Sequence, residues 1–383
     1  MIRKFKSWMD KKQFCPTVED IENKELGKLA KRLKGDSDKE TLTNILEWQD
    51  RNIIGWSDRW YIFLIFYGFL VLSYVVLTFA LPMSQYISFI FGIALIIAAI
   101  LNMTYLMSIL IPFVLYIIFL LLLVVKINPK FAITLSPVLT SLAFLLGGMI
   151  AMIVYLVVKY RNFKLQGDSK ESKILLDIFR FTLPTEKILK YRLAICKDYA
   201  KLTASLLFSI YPNSRVYFFT IPQHTATAIK IDGKYYILDQ QLPVLTIDGW
   251  LIRWNRRDAD VYASELIRNS EGKLVGVDFK YHEKVFLHSG KVVDTDKLAA
   301  EVAEMLKIKQ ISQKEKPDFE TLLKNYAIYY EDDDITKRSL MKAIKNKLES
   351  ELCSNMDKIS KIEINQNKSD LIVKVYLRTE RGE

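Results

Sequence analysis

Residues 224–239 read His-Thr-Ala-Thr-Ala-Ile-Lys-Ile-Asp-Gly-Lys-Tyr-Tyr-Ile-Leu-Asp. Two strand-forming runs flank Asp232-Gly233, a strong short signal for a two-residue hairpin loop, because such a loop needs positive φ and these residue types tolerate it. With that loop, Ile231 stands opposite Lys234, and counting outward brings Ala226 opposite Asp239. His224 lies two residues further along its strand, on the sheet face that Asp239 shares. Diagonal neighbours of this kind have Cα atoms ~7–8 Å apart, a gap that an imidazole and a carboxylate can bridge. Register and face both follow from the turn.

Working outward, Val216–Thr220 reads as another strand. Before it, Tyr199, Leu202, Leu206 and Leu207 make a helical stripe that Pro212-Asn213 stops. Cys196 falls at or just before the first turn of that helix, where unpaired N–H groups and the positive end of the dipole favour a thiolate. Taken alone, Cys196 also fits a buried structural cysteine. The downstream pair supplies what a nucleophile needs, namely a base (His224) and a group that fixes the base's tautomer (Asp239). The backbone N–H of Cys196 and the side chain of Tyr191 are candidates for stabilising an oxyanion.

The run Cys196-Lys197-Asp198-Tyr199-Ala200, followed by His224 and then by Asp232 to Asp239, resembles the core of the transglutaminase-like superfamily, which is related in fold to papain-type cysteine peptidases. The resemblance covers about 180–250. It implies catalytic Cys196, His224 and Asp239 in that chain order, a cysteine helix packed on an antiparallel sheet, and no cofactor. The superfamily includes protein cross-linkers, peptidases, amidases and inactive modules. Ile195 before the cysteine, Thr225-Ala226-Thr227 after the histidine and Gln240 after the aspartate depart from the common pattern, which bears on substrate class.

Beyond this region the charge distribution is uneven. Residues 60–158 contain no acid and only two bases, Lys126 and Lys130, in a chain whose net charge is +11. Apolar runs at 60–81, 86–125 and 131–158 have the length of about four spanning helices, at ~20 residues each. The expected fold class is therefore a multi-pass α-helical membrane domain (60–158) followed by a soluble α+β transglutaminase-like domain (165–293). An N-terminal helical, amphipathic region (1–59) precedes them, and a C-terminal α/β appendage (294–383) follows. The expected location is the cell membrane, with the lipid bilayer as a partner and the water-exposed domain cytoplasmic by the distribution of bases. No buried charge in 60–158 suggests a transporter.

Three cysteines in unrelated settings make no disulfide framework and no metal knuckle, and no zinc or calcium motif is present. No dense basic patch points to nucleic acid. His282 and His288 read as surface or packing residues. Trp250 and Trp254, with Arg253, Arg256 and Arg257 around them, read either as a packed aromatic loop or as a binding surface beside the cleft or at lipid headgroups. In the C-terminal part, Asp296–Ile308, Phe319–Tyr330 and Ile335–Leu352 read as helices, and Ile359–Ile364 with Leu371–Leu377 as a hairpin.

Two functions follow as expectations. One is a membrane-anchored thiol enzyme acting on amide bonds, as hydrolase or acyl transferase, on a protein or peptide substrate. The other is a catalytically inactive module that binds a peptide or partner protein at the membrane. Oligomeric state is open.

Overall fold

A computed structural model of the chain describes residues 15–56, 182–256, 258–268, 273–284, 292–310 and 314–378. The chain forms two units, residues 1–54 with 196–383, and residues 55–195. In the second, the described part holds a helix over Thr185–Tyr191 and a backbone bond from Trp56 N–H to the Ala194 carbonyl (2.8 Å).

The first unit opens with three helices: α1 (Val18–Ile21), α2 (Lys24–Leu33) and α3 (Asp38–Asn52). Each starts on a side chain that takes up an orphan N–H. Thr17 and Asp20 form a reciprocal capping box, Asn23 accepts from Leu26 N–H, and Ser37 accepts from Glu40 N–H. Then come α4 (Cys196–Ile210), β1 (Val216–Ile221), β2 (His224–Ile231), β3 (Lys234–Leu238), α5 (Ile247–Arg253), β4 (Asp258–Arg268) and β5 (Leu274–Lys284). The chain continues through α6 (Thr295–Met305), β6 (Phe319–Leu323), α7 (Tyr326–Tyr329), α8 (Asp334–Leu352), β7 (Ile359–Asn367) and β8 (Asp370–Leu377).

Among the described residues, the strands just named form two antiparallel sheets, one of five in the order β3-β2-β1-β4-β5 and one of three in the order β6-β8-β7. The β2–β3 register pairs Ile231 with Lys234 and Thr227 with Leu238, as the Asp232-Gly233 loop dictates. Both loop residues have positive φ, 49° and 82°, which is the two-residue turn whose twist matches the strands. Between β1 and β2, Pro222 is followed by Gln223 at φ 71°, the pattern of a type II turn, which starts the second strand at His224.

The strands β1 and β2 of the five-stranded sheet are buried on both faces over most of their length. On one, Tyr217, Phe219, Ala226, Ala228 and Ile237 share a single core with Trp250 and Leu251 of α5, Val302 of α6, Ile344 of α8, and Ile362 and Val373 of the smaller sheet. On the other lies α4, tied down where Thr227 donates its hydroxyl hydrogen to the Ala200 carbonyl (2.7 Å). Every residue of α4 from Asp198 to Phe208 is buried. A helix covered all round must have partners for its polar groups, and α1 and α3 supply them. Lys201 Nζ meets Asp20 Oδ2 at 2.7 Å, Gln49 Nε2 donates to Thr203 Oγ1 at 2.7 Å, and Tyr199 OH donates to the Ile53 carbonyl at 3.0 Å.

Two expectations are corrected. Phe319–Tyr330, read as one helix, is a strand and a single helical turn. Leu322, Leu323, Tyr326 and Ala327 have helical spacing, but Thr321 and Leu323 turn inward while β6 pairs with β8, and Asn325 at φ 63° breaks the run. The second concerns the membrane. The runs in 60–158 lie outside the described residues, as do 1–14, and among the described residues no helix is long and apolar enough to cross a membrane. The longest, α8, carries Lys337, Arg338, Lys342, Lys345 and Lys347. Among the described residues the fold class is accordingly α+β, and the expected multi-pass membrane domain finds no spanning helix there. The expected lipid-bilayer partner, cell-membrane location and both membrane-bound forms of the function are corrected with it, because no described helix supports them. The physical reason is that the longest described helix carries charged side chains along its length, which the hydrocarbon of a membrane does not accommodate.

Candidate active site

His224 opens β2 and Asp239 follows the last residue of β3, one step past the final ladder pair. Both are buried, at 5% and 3% exposure. His224 Nε2 lies 2.9 Å from Asp239 Oδ1 and 3.0 Å from Oδ2. Burial works to raise the Asp239 pKa, but the hydrogen bond and charge of His224, the charge of Arg253 and the Trp254 indole outweigh it and hold the carboxyl below its usual range. An ionised carboxylate only accepts, so Nε2 carries the hydrogen and Nδ1 is left for another partner.

Cys196 is the second group that acts on the His224 ring. It is half-buried at the first position of α4, where its N–H is one of the donors without an acceptor inside the helix. Burial pushes the His224 pKa down, yet hydrogen bonds to Asp239 and to Cys196, with the charges of both, raise it to about 9. The hairpin thus bonds the His224 imidazole to the Asp239 carboxylate, and the Cys196 side chain acts on the same ring.

Asp239 is held by more than the histidine. Oδ1 also accepts from Gln240 N–H (2.8 Å), while Oδ2 accepts from the indole N–H groups of Trp250 (3.1 Å) and Trp254 (2.7 Å). The two tryptophans are four residues apart at the end of α5, so one helix face presents both. Trp250 is fully buried. Trp254 is 38% exposed and lies flat on the His224 ring, centroids 3.6 Å apart and planes 28° apart. It therefore covers the His–Asp pair on one side while bonding to it. Arg253, between them in sequence, donates to the Gln241 and Leu242 carbonyls (3.0 and 3.1 Å), which fixes the chain just after Asp239. Arg256 reaches the Pro222 carbonyl at 3.5 Å, in the turn before His224.

A family model described as a transglutaminase-like domain matches residues 24–267, well over half of the chain. The chain belongs to this family. Among curated proteins it is similar to a UPF0252 protein of Methanocaldococcus jannaschii, 32% identical over 204 residues, which is 52% of this chain and 56% of the relative. UPF0252 proteins of Archaeoglobus fulgidus (37% over 93 residues, 23% of this chain and 29% of the relative) and Pyrococcus horikoshii (28% over 146 residues, 35% and 44%) are also similar. The chain spans about half the length of the first of these or less of the others. No solved structure matches it.

The family match begins at residue 24, and so includes the α2 and α3 helices that precede the cysteine by more than a hundred residues. The structure of this transglutaminase-like chain gives the reason, because α3 provides Gln49 to the buried helix that Cys196 starts. Tyr191, a candidate oxyanion donor, is buried in the helix Thr185–Tyr191 of the other unit. His282 lies on β5, and His288 lies outside the described residues. Among the described residues no three His, Cys, Asp or Glu side chains cluster so as to hold a metal ion. The tryptophans are what sequence reasoning missed. Their i, i+4 spacing was visible, but nothing in it named a buried carboxylate as their target.

Proposed function

We propose that the chain is a cysteine-dependent enzyme of amide chemistry, an amide hydrolase or a transglutaminase-like acyl transferase. The observation that supports this reading is the bond from His224 Nε2 to buried Asp239, with the Cys196 side chain among the groups that raise the His224 pKa. An imidazolium in that position stabilises a thiolate, and a thiolate is the attacking species.

The step balances as follows. The Cys196 sulfur forms a bond to the amide carbonyl carbon, and the electron pair moves to the oxygen. As the oxyanion collapses, the C–N bond breaks and the amine leaves with the proton from His224. A thioester remains on Cys196. Neutral His224 then takes a proton from water or from a second amine as it attacks the thioester, which gives a carboxylic acid or a new amide and restores the thiol. Asp239 holds the imidazole in the tautomer that both halves require and stabilises its charged form.

The full-length protein is mixed with p-nitrophenyl acetate, an activated acyl donor, and its intact mass is followed. The expected result is one acetyl group on Cys196, released by added amine, together with an initial burst of p-nitrophenolate that Cys196→Ala abolishes. Acetylation of Cys196 no faster than that of Cys353 overturns the proposal.

A further inference from the structure

A concave site lies beside the segment that follows Asp239. It encloses about 650 Å³ and is lined by Asp50 of α3, Gln241, Arg253 of α5, Lys324, and Tyr326 and Tyr329 of α7. That volume falls within the roughly 300–1,000 Å³ usual for small-molecule sites.

Its charges divide into two classes. Arg51 and Glu349, also on the wall, satisfy each other at 2.6 Å, with Glu47 a further 3.0 Å partner of Arg51, and Lys347 pairs with Glu351 at 2.7 Å. Asp50, Arg253 and Lys324 form no ion pair among the described residues, although all three face one cavity. Arg253 is already fixed. Its two terminal nitrogens donate to neutral carbonyls, and its guanidinium stands 5.2 Å over the Tyr329 ring. Hydrogen bonds to carbonyls orient that cation without neutralising it. Asp50 is open to the cavity, yet the walls desolvate it enough to raise its carboxyl pKa, against the pull of Arg253 and Arg51.

A carboxylate and two cations held apart in one concavity are satisfied together by a ligand that carries both charges. We propose that this cavity binds a zwitterion of amino-acid or short-peptide type, with its ammonium at Asp50, its carboxylate at Arg253 and Lys324, and its body against Tyr326 and Tyr329. The site stands on the cavity's own geometry and not on the chemistry proposed for Cys196.

Isothermal titration tests it on the full-length chain carrying Cys196→Ala, so that no turnover intervenes. The probes are L-alanyl-L-alanine, its N-acetylated form (anion only) and its C-terminal amide (cation only), each at millimolar concentration. The expected result is binding of the dipeptide, with both blocked forms weaker by about tenfold or more. Asp50→Asn weakens the dipeptide and the amide but leaves the N-acetyl form unchanged, and Lys324→Met does the reverse. Both residues are exposed, and thermal unfolding confirms that each variant folds. No binding of the dipeptide overturns the proposal. So does equal affinity for the N-acetyl form, or dipeptide affinity unchanged in Asp50→Asn. None of these outcomes touches the thioester reading, which is tested separately at Cys196.

Discussion

Trp254 donates its indole N–H to Asp239 at 2.7 Å while its ring lies on His224, centroids 3.6 Å apart. One side chain thus orients the carboxylate and covers the bond that the carboxylate makes to the histidine. The two effects separate by mutation. Trp254→Phe keeps the stacked ring and loses the donor, and Trp254→Ala loses both. A hydrogen bond to a charged group contributes roughly 1.5–3 kcal/mol, so Trp254→Phe is expected to slow acylation of Cys196 by roughly tenfold to a hundredfold. Trp254→Ala is expected to slow it further and, by uncovering the ring, to relieve the burial that pushes the His224 pKa down. Single-turnover acylation and histidine NMR titration measure the two.

Asp239→Asn is expected to be worse than a lost charge. Three side-chain donors converge on the carboxylate, from His224, Trp250 and Trp254, and an amide offers one acceptor oxygen and turns an NH₂ toward the remaining donors. Breaking a buried charged pair in this way costs about 3–5 kcal/mol. Urea unfolding at neutral pH should show a loss of that order, and His224 should titrate below its value of about 9.

The pair also sets a pH window for stability. His224 is raised in the folded state to about 9, above its unfolded value of about 6.5, so its contribution is complete below about pH 6.5 and disappears as pH rises through 9. Asp239 is lowered, so its contribution is present above its unfolded value of about 3.9 and is lost as pH falls through the folded one. The stability difference between the natural chain and His224→Gln should therefore be largest between about pH 4 and 6.5, and should shrink toward pH 9. Denaturant titrations of both proteins across that range measure it.

Lys201 and Asp20 test whether the N-terminal helices hold the cysteine helix in place. Their ion pair is buried at both ends, 7% and 4% exposed, at 2.7 Å. Lys201→Met leaves a carboxylate buried beside Thr17 and is expected to cost about 3–5 kcal/mol. The double change with Asp20→Leu should recover much of that loss, because an apolar pair of similar volume is about as stable as a buried ion pair. Chemical denaturation of the two single variants and the double variant gives the coupling.

What was legible in the sequence was local. Asp232-Gly233 fixes the hairpin register, and the register places His224 and Asp239 together, because a two-residue loop leaves no freedom in the pairing. Cys196 could be placed at a helix start from the stripe that follows it. What was not legible depends on distant chain. Lys201 in mid-helix reads as a surface residue until Asp20 is brought to it, and Gln49 gains meaning only opposite Thr203. Trp250 and Trp254 read as packing or as a sticky surface, since an indole's N–H partner is a tertiary fact. The twelve residues Phe319–Tyr330 were misread because a strand of five and a helical turn of four, separated by Lys324 and Asn325, imitate helical spacing. The apolar segment was assigned to lipid by length and hydropathy, and it lies outside the described residues.

The most direct test of the central claim is the ratio of Cys196 alkylation by iodoacetate to that by iodoacetamide, followed from pH 6 to 10 by mass spectrometry. Both reagents attack through the thiolate, but only the anionic one is drawn in by an imidazolium beside the sulfur. Cys353, exposed on the surface, is the internal reference. The account predicts a ratio well above that of Cys353 at neutral pH, falling as His224 loses its proton near pH 9, and a low, flat ratio in His224→Gln. A Cys196 whose ratio matches Cys353 at every pH would contradict it.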